Sequence, residues 1–599
     1  MERAIGWASR RWVTLVIAAW LVASAIAIWM RWQNIYWFAL ADTDDNMRIV
    51  QVRAWLDGQS WSDLRQYRMD PPGGANIHWS RFVDVPIAGL RLLFGLFTDG
   101  PSAERAAVGV APLLPLGVAL TGLALTARRL LGPPAFLVAV PLFFFGVTAF
   151  AQFLPTRIDH HGWQLAMLSL AVAGLVDAER VRGGVTVGLA TAGALSIGLE
   201  FLPYLAAMGG FITLFWVWRS DERPRVEAYA VALAGGSALG FAIFASYANR
   251  APVCDAFSPV WLSATLAGGA LLLVLSRLQL DSRSRRMIAA VLAAAALAAA
   301  FALVWPQCLG QPEGASPELR RVWMNNVREV KPIWEQDLKV ALGTLSLPVA
   351  GLLGSLLLLW TRRRDASAWP RAAAIALLSA ASLGLVFWGT RAAPGAQLLA
   401  VPGATALAWL LVPRLRRVRS PIVRVLGPAL VIVVASGTLA SALTRYLPDK
   451  PARPFSKKVE LANRRCPAIL SMRPLFRLKP GIVFTHVDLS PRLLALTRHS
   501  AVAGPYHRNG PAIVDVMHAF RGTEPQARRI IARHHADYVL ICPNMSETTL
   551  YSSAAPRGFY VQLRDGRVPN WLTPVALPRN SPFKMWRVVN SRNSPSIRR

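Results

Sequence analysis

Long apolar runs, separated by short polar segments, make up most of the chain from Trp12 to about residue 443. Each run approaches the roughly 20 residues that a helix needs to cross the hydrocarbon core of a membrane. The runs cover 12–30, 106–127, 133–153, 162–177, 184–200, 203–218, 226–248, 258–277, 286–305, 339–360, 372–389, 395–412 and 421–443. The pattern predicts an all-α polytopic membrane domain with about thirteen spans.

Two apolar stretches need a separate interpretation. The run at 12–30 follows an Arg-rich N-terminus, which also suits a secretory signal peptide, but its length favours an uncleaved anchor. The run at 85–97 is too short to cross a membrane and contains Arg91. We expect this second run to form an interfacial helix that lies on the membrane surface.

The apolar runs stop at about Tyr446, where Pro, Arg and polar residues take over. Beyond that point, strand-like stretches at 481–485, 500–504 and 537–542 alternate with amphipathic helical stretches at 491–498, 512–521 and 525–535. We therefore predict a membrane domain at 1–444, which carries a large first external loop at 31–105, and a soluble periplasmic α/β domain at 445–599.

The distribution of charge predicts the orientation in the membrane. The chain has 54% hydrophobic residues, 16% charged residues and a formal net charge of +32. Nucleic-acid binding does not explain this charge, because many Arg residues lie in short loops at 128–129, 219–225, 283–286, 362–364 and 414–419. Short cationic loops stay in the cytoplasm. The sequence thus predicts a multi-pass protein of the bacterial inner membrane, with a cytoplasmic N-terminus and a periplasmic C-terminal domain.

All four cysteines, Cys254, Cys308, Cys466 and Cys542, fall on the periplasmic side of this topology. The periplasm permits disulfides, and the simplest arrangement has one bond between the loops and one within the tail. The spacing does not fix the connectivity, and free buried thiols are the alternative.

Acidic residues are scarce, and three of them open the first external loop in the sequence Asp42-Thr43-Asp44-Asp45-Asn46-Met47-Arg48. Neighbouring carboxylates repel one another unless a cation or a basic group compensates them. An oxygen-rich cluster of this kind suits Mg²⁺ or Mn²⁺. The alternative is an acidic helix start, because carboxylates also favour a helix N-terminus.

Other external segments carry further candidates. Asp159 and His161 lie at the outer start of a span and together suit a metal, although a helix N-cap is the simpler role for the carboxylate. Glu200 lies near the outer end of another span, where an unpaired carboxylate is costly. Glu329 falls in the predicted external loop 306–338. Arg391, at the outer end of the eleventh span, has the guanidinium fork that suits a phosphate, with snorkelling as its alternative role.

These residues give the chain a resemblance to the GT-C glycosyltransferases, in particular to the catalytic subunit of oligosaccharyltransferase. That subunit has thirteen spans, a catalytic first external loop and a C-terminal domain outside the membrane. Its first motif is an Asp followed by an Asn four residues on and an Arg six residues on, and Asp42, Asn46 and Arg48 match it. The stretch 70–79 is similar to the family's Pro-Gly stretch in the same loop.

Three further motifs match with departures. The family's acidic cluster in the second external loop falls on Asp159, with His161 in place of its second carboxylate. Its Ser/Thr-Val/Ile-x-Glu motif resembles the sequence 326–329, where Asn replaces the hydroxyl residue, and its diphosphate-binding Arg matches Arg391. The Trp-Trp-Asp signature that reads the acceptor sequon is absent, so the resemblance does not imply N-glycosylation. The stretch 506–509 is a candidate lining for a different acceptor site.

The resemblance implies transfer of a sugar or glycan from a polyprenyl-phosphate or polyprenyl-diphosphate carrier on the periplasmic face. It implies that Asp42, Asp159 and His161 hold a divalent cation, Mg²⁺ or Mn²⁺. Arg391 and Arg48 are then the candidates for substrate binding. The expected partners are membrane lipid, the polyprenyl-linked donor and a glycan, lipid or protein acceptor, without nucleic acid.

The catalytic candidates are Asp42, Asp44 and Glu329. Either aspartate suits a general base that activates an acceptor hydroxyl, and Glu329 is expected to position the metal or the acceptor. Two other classes of protein are open. A transporter or flippase of lipid-linked or envelope substrates would need ionisable residues deep within the spans, where this sequence has few. A non-catalytic membrane scaffold would leave the external carboxylates without a role.

Overall fold

The computed structural model describes residues 2–310, 313–448 and 454–589, and the chain forms two compact units. The first unit comprises Met1–Arg31, Trp79–Pro312 and Arg328–Pro448, and the second comprises Trp32–His78, Glu313–Val327 and Asp449–Arg599. The first part of the predicted external loop, residues 32–78, therefore groups with the C-terminal residues. The division of the chain into two domains at residue 444 stays a prediction.

The first unit is all-α, and its helices follow the predicted apolar runs. Its α-helices are Glu2–Arg10, Trp12–Met30, Asp84–Gly95, Gly100–Val110, Leu113–Leu130, Phe136–Phe143, Val147–Ala151, His161–Leu175, Arg180–Ile197, Leu202–Trp218, Arg223–Phe244, Pro259–Arg277, Arg283–Val304, Leu338–Thr361, Trp369–Trp388, Ala393–Leu415, Pro421–Ala435 and Thr438–Leu443. Short 3-10 turns join several of them, at Ser220–Glu222, Ala248–Arg250, Pro306–Cys308, Arg328–Val330, Ile333–Glu335, Thr390–Ala392 and Thr444–Tyr446.

Within the described residues, 8 helices are long and apolar enough to cross a membrane, or 9 if one bent pair forms a single span. The chain is therefore a multi-pass membrane protein, as predicted. The other predicted runs form helices that are shorter, broken or less apolar. The count of about thirteen spans stays a prediction.

Two predicted spans are interrupted, and local backbone features account for the breaks. The run 133–153 divides into the helices Phe136–Phe143 and Val147–Ala151, where Gly146 leaves the helical conformation. The run 421–443 bends by 86°. Gly437 lies at that bend with a φ of 72°, a left-handed conformation that glycine adopts without a steric penalty.

The run predicted to be interfacial, 85–97, forms the helix Asp84–Gly95, so its helical structure is confirmed. Its apolar side chains are exposed towards the C-terminal end, where Leu96 is 76% exposed and Phe97 is 78% exposed. Exposed apolar side chains of this size suit a lipid environment. A position on the membrane surface stays a prediction.

Small residues allow close approach of the helices Leu338–Thr361 and Ala393–Leu415. A Cβ added at Gly354 would overlap the carbonyl oxygen of Gly403, which lies on the opposite helix. Small residues at such contacts are typical of helix packing in membranes, where dispersion rather than water exclusion drives association.

A buried carboxylate ties together several helix ends in the first unit. Asp177, whose side chain is 1% exposed, lies 2.6 Å from Arg129 and 2.7 Å from Arg182. Arg225 donates a hydrogen bond of 2.7 Å to the carbonyl oxygen of Asp177. The network thus joins the end of helix Leu113–Leu130 to the starts of helices Arg180–Ile197 and Arg223–Phe244.

The second unit combines helices with a small sheet. Its α-helices are Trp32–Tyr36, Thr43–Leu56, Pro317–Val322, Pro454–Arg465, Ile469–Met472, Ser490–Leu496, Gly510–Arg521, Glu524–Arg533, Ser546–Ala554 and Phe559–Arg564, with 3-10 turns at Met324–Asn326, Arg473–Arg477 and His507–Asn509. Its strands are β1 (Arg65–Gln66), β2 (Ala75–Asn76), β3 (Ile482–Phe484), β4 (Ser500–Ala501), β5 (Tyr538–Ile541), β6 (Leu572–Pro574) and β7 (Lys584–Val588).

The C-terminal strands form one mixed sheet in the order β4-β3-β5-β7-β6. Strand β3 pairs in parallel with β4 and β5, while β7 pairs antiparallel with β5 and β6. The predicted α/β character of the tail is confirmed, with all three predicted strands and all three predicted helices in place. Strands β6 and β7 were not predicted.

The loop 32–78 attaches to the edge of this sheet. Strands β1 and β2 form an antiparallel pair, and Met69 makes an isolated parallel bridge to Ala501 at the edge strand β4. The guanidinium of Arg68 donates hydrogen bonds to the carbonyl oxygens of Thr497 and His499, at 2.5 and 2.6 Å. These bonds explain why the loop belongs to the second unit.

The four cysteines form two disulfides, Cys254–Cys308 in the first unit and Cys466–Cys542 in the second. This is the simplest of the arrangements that the sequence allowed, and the alternative of free thiols is wrong. Cys254 and Cys308 join two predicted external loops, and Cys466 and Cys542 join the segment after helix Pro454–Arg465 to the end of β5.

The Asp177→Asn variant tests the buried network. Loss of the charge leaves Arg129 without its buried partner, so we expect a loss of about 3 kcal/mol in stability. A matched control is Asp221→Asn, since Asp221 is 48% exposed and pairs with Arg180 and Arg219. Exposed pairs contribute at most about 1 kcal/mol. Thermal unfolding in detergent measures both, and equal midpoints for the two variants would contradict the role given to Asp177.

Candidate active site

Two adjacent histidines and two carboxylates meet in the first unit. His160 and His161 stand at the start of helix His161–Leu175, and Glu200 lies in the turn before helix Leu202–Trp218. Glu200 bridges both rings, 2.9 Å from Nε2 of His160 and 3.3 Å from Nε2 of His161. On its other side, Nδ1 of His161 lies 2.9 Å from Asp159.

Local structure fixes the positions of these side chains. Asp159 accepts a hydrogen bond of 3.1 Å from the backbone N–H of His161, the first residue of the helix, whose N-cap is His160. The rings of His160 and His161 lie 4.4 Å apart, and the buried ring of Trp79 packs 5.8 Å from His160. The Asp159 carboxylate therefore accepts one N–H of the first helical turn and also contacts the His161 ring, but the N-cap position itself belongs to His160.

The charges in this cluster compensate one another. Burial alone would raise the pKa of Asp159, but Arg157 and His161 outweigh it and hold that pKa well below its usual range. Burial likewise opposes ionisation of Glu200, yet His161, His160 and Arg391 lower its pKa strongly. Burial disfavours a charged His161, but Asp159 and Glu200 raise the pKa of this histidine to about 10. The cluster thus holds ionised carboxylates around a protonated imidazole.

Two arginines flank the cluster. Arg157 lies 2.7 Å from Asp159 and donates a hydrogen bond of 3.2 Å to Gln152. Arg391 lies in the turn Thr390–Ala392 after helix Trp369–Trp388, where it is exposed and close enough to Glu200 to affect its ionisation. An exposed guanidinium beside this cluster has the geometry to bind an anion.

The segment that carries Glu329 packs beside Arg391. The hydroxyl of Thr390 donates a hydrogen bond of 3.2 Å to the carbonyl oxygen of Glu329, and the backbone N–H of Thr390 donates one of 3.0 Å to the carbonyl oxygen of Lys331. Glu329 itself is exposed. These backbone contacts place Glu329 next to the turn that carries Arg391. A role for the carboxylate of Glu329 stays a prediction.

The donor set of His160, His161 and Glu200 fits a divalent metal ion, which would displace the ring proton of His161 because only a neutral imidazole donates a lone pair. One ligand atom from each of the three lies within 4.8 Å of the others. Nδ1 of His160 is buried and has no hydrogen-bond partner among the described residues, so this ring can make a further bond. Imidazole with carboxylate suits Mn²⁺ or Zn²⁺ better than Mg²⁺, which prefers oxygen ligands.

The first motif residues belong to the second unit, where they open helix Thr43–Leu56. Asp42 is its N-cap and accepts hydrogen bonds from the backbone N–H and the hydroxyl of Thr43, at 2.5 and 3.0 Å. The side-chain amide of Asn46 donates a hydrogen bond of 2.6 Å to the carbonyl oxygen of Asp42. The four-residue spacing of the motif is therefore one turn of helix. Asp44 lies half-buried in this turn, and Arg48 is fully buried one turn later.

The stretch 506–509 contacts the same part of the second unit. The hydroxyl of Tyr506 donates a hydrogen bond of 3.4 Å to the carbonyl oxygen of Thr43. The amide of Asn509 donates one of 3.0 Å to Asp70, in the Pro-Gly stretch of the loop. The tail thus contributes side chains around the first motif, while its role in acceptor binding stays a prediction.

The structure brings together Asp159, His161 and Arg391 of the predicted site residues, all within the first unit. Asp42, Asp44 and Arg48 form a separate group in the second unit, so their joint ligation of a metal with Asp159 and His161 stays a prediction. Neither His160 nor Glu200 was predicted from the sequence to bind a metal. The sequence signal for them is a pair of adjacent histidines at the start of one predicted span and an acidic residue at the end of the next span.

Comparisons with known proteins show the fold. No protein-family model matches the chain, and no curated protein sequence matches it. Among solved structures, oligosaccharyltransferase AglB from Archaeoglobus fulgidus, in complex with an inhibitory peptide and a dolichol-phosphate, matches with a TM-score of 0.67 at 15% identity. The match covers 99% of this chain and 76% of AglB.

Two other structures of the Archaeoglobus fulgidus oligosaccharyltransferase also match. One is tethered to an acceptor peptide with an NVT sequon and has a TM-score of 0.63 at 15% identity, over 89% of this chain and 69% of the other. The second is a complex with Zn and sulfate, with a TM-score of 0.57 at 16% identity, over 90% and 69%. At these identities the match shows a shared fold. The predicted resemblance to GT-C glycosyltransferases is confirmed at that level.

The Glu200→Gln variant tests the metal cluster. Removal of one ligand charge should weaken Mn²⁺ binding at least about tenfold, since changes in the groups around a metal already cost that much. The free-ion signal in electron paramagnetic resonance measures the affinity of the purified protein. Glu179→Gln is the matched control, because Glu179 caps the other end of the preceding helix. Equal Mn²⁺ affinity in wild type and Glu200→Gln would rule out Glu200 as a ligand.

Proposed function

We propose that this chain is a membrane glycosyltransferase that moves a sugar or glycan from a polyprenyl-phosphate or polyprenyl-diphosphate carrier to an acceptor on the periplasmic face. The observation that carries the proposal is the cluster of Asp159, His160, His161 and Glu200 beside Arg391. It occurs in a fold shared with an oligosaccharyltransferase over 99% of the chain. The dolichol-phosphate in that complex supports a polyprenyl carrier.

The chemistry of the transfer explains the choice of residues. The bond between the anomeric carbon of the sugar and the phosphate oxygen of the carrier breaks, and the phosphate leaves with the electron pair. A new bond forms between the anomeric carbon and a nucleophilic atom of the acceptor, which gives up a proton. The reaction therefore needs positive charge at the phosphate and a base at the acceptor.

The first unit supplies the positive charge. Arg391 binds the phosphate through its guanidinium fork, and its exposed position leaves that fork accessible. A divalent cation held by His160, His161 and Glu200 would stabilise the negative charge on the leaving phosphate as a Lewis acid. The Zn and sulfate complex of the archaeal enzyme supports both a cation and an anion site. Mn²⁺ is the expected ion, given the imidazole ligands.

The base candidates are carboxylates of the first motif. Asp42 and Asp44 lie in the first helical turn of the motif, and either carboxylate can take the proton from the acceptor. Asp42 and Asp159 are also candidate ligands of the cation. Arg48 is the second candidate for substrate binding, and Glu329 for positioning of the acceptor or the metal. The NVT peptide belongs to the archaeal enzyme, and the acceptor proposed here is a glycan, lipid or protein.

Release of carrier phosphate tests the proposal. Purified protein with polyprenyl-linked lipids, Mn²⁺ and crude envelope as acceptor is expected to release polyprenyl phosphate. Asp42→Asn and Asp159→Asn should each reduce the rate at least about 100-fold, the usual cost of losing an electrostatic group at the reaction centre.

The control for this experiment is Asp57→Asn, because Asp57 is exposed at the far end of the same helix as Asp42. It should keep the wild-type rate. A well-folded wild-type protein that moves labelled carrier lipid between leaflets without releasing phosphate would replace the proposal with a flippase. Equal rates for wild type and both carboxylate variants would remove the proposed residues from the reaction.

Substitution of Arg391 separates donor binding from the chemistry. Arg391→Lys keeps the charge but loses the bidentate fork, so we expect a KM for the donor raised roughly tenfold. Arg391→Met loses both and should also lower kcat. Arg250→Met is the control, since Arg250 is an exposed arginine of the first unit that stacks on Tyr247. Unchanged donor kinetics in Arg391→Met would show that this arginine only snorkels.

A further inference from the structure

The first motif depends on a side chain whose orientation is not fixed by its own helix. Asn46 lies one turn after Asp42, and its amide nitrogen donates to the carbonyl oxygen of Asp42 at 2.6 Å. That contact requires the nitrogen, and not the oxygen, of the amide to face Asp42. An amide can rotate to exchange the two atoms, so something must hold its oxygen on the other side.

Arg492, from the C-terminal part of the same unit, makes that contact. Its Nη1 donates a hydrogen bond of 3.1 Å to Oδ1 of Asn46, and its Nε donates one of 2.7 Å to the carbonyl oxygen of Pro467. Both side chains are buried, with Arg492 4% exposed and Asn46 5% exposed. The guanidinium therefore holds the amide oxygen of Asn46 on its own side, so that the amide nitrogen faces the carbonyl oxygen of Asp42.

Burial of this arginine is costly. Removal from water, with a smaller contribution from Arg53, lowers the pKa of Arg492 to about 10. Two directional hydrogen bonds to a carbonyl and an amide offset part of that cost. The contact of this costly buried guanidinium with Asn46 suggests that it serves the first motif.

We propose that Arg492 is a positioning residue for the catalytic turn, which acts through Asn46 to hold Asp42 in its working orientation. The inference rests on the proposed function for the role of Asp42, and it adds a residue from the tail to that site. The neighbouring contact from Arg53 to the carbonyl oxygen of Ala495, at 2.5 Å, holds the two helices Thr43–Leu56 and Ser490–Leu496 together. Unlike Arg53 in this contact, Arg492 donates a hydrogen bond to the side-chain amide of Asn46.

The chain offers a matched control for loss of an arginine. Arg68 also joins the loop to the tail segment, through the carbonyl oxygens of Thr497 and His499. Burial lowers the pKa of Arg68 to about 10, as it does for Arg492. Neither of these two Arg68 hydrogen bonds involves Asn46. Arg68→Met should therefore lower stability without a selective effect on the motif, and Arg492→Met should affect both.

The first readout is hydrogen exchange, which does not depend on activity. Arg492→Met should speed amide exchange at residues 42–48, while Arg68→Met should leave exchange there close to wild type. Arg492→Lys, which keeps the charge, should give an intermediate rate. Wild-type exchange at 42–48 in Arg492→Met would overturn the proposal even if the transferase activity is established. If no activity is found, exchange still decides the role of Arg492.

The second readout is a double-mutant cycle on carrier-phosphate release. Arg492→Met should lower kcat roughly 100-fold with little change in the KM for the donor, because misplacement of a catalytic group affects the chemical step. Asn46→Ala should have a similar effect, and the double variant should be no worse than either single one. Additive losses, or a change confined to KM, would show that Arg492 acts on the fold alone.

Discussion

A carboxylate held between two imidazoles is the interaction on which the candidate site depends. Glu200 contacts His160 and His161, and Asp159 contacts the same His161 from its other ring nitrogen. Unpaired carboxylates beside a hydrocarbon phase are costly, so these charges stabilise only one another and the arginines around them. The contact fixes the ends of three helices at one place and leaves the Arg391 guanidinium exposed beside it. An ion with two positive charges would fit the same arrangement of donors.

The second unit shows a related principle, in which distant segments complete a short motif. Residues 32–78 pack with C-terminal residues through strand edges and arginine–carbonyl hydrogen bonds. Helix Thr43–Leu56 opens with Asp42 as its cap and Asn46 against the Asp42 carbonyl, while Arg492 orients Asn46. With the role proposed for Arg492, this first helical turn depends on the tail for its geometry.

Much of the fold followed from the sequence because its signals are local. Apolar runs located the helices of the first unit, and alternating patterns located strands β3, β4 and β5. The break at Gly437 and the strands β6 and β7 were missed. A single glycine does not show its backbone conformation, and Pro574 in β6 argues against a strand except at an edge. In the site, Asp159 and His161 were found because they are neighbours in the chain. The pairing of His160 with Glu200 across 40 residues was not, since only the folded helices bring the two together.

The central claim is that this cluster holds a metal ion in contact with the phosphate of a polyprenyl carrier. Electron–nuclear double resonance of the protein in nanodiscs, loaded with Mn²⁺ and polyprenyl phosphate, tests it most directly. We expect nitrogen coupling from the histidine rings together with phosphorus coupling from the carrier, both weaker in Glu200→Gln at the same Mn²⁺ concentration. Bound Mn²⁺ with neither coupling, or with phosphorus coupling that is undiminished in Glu200→Gln, would contradict this claim.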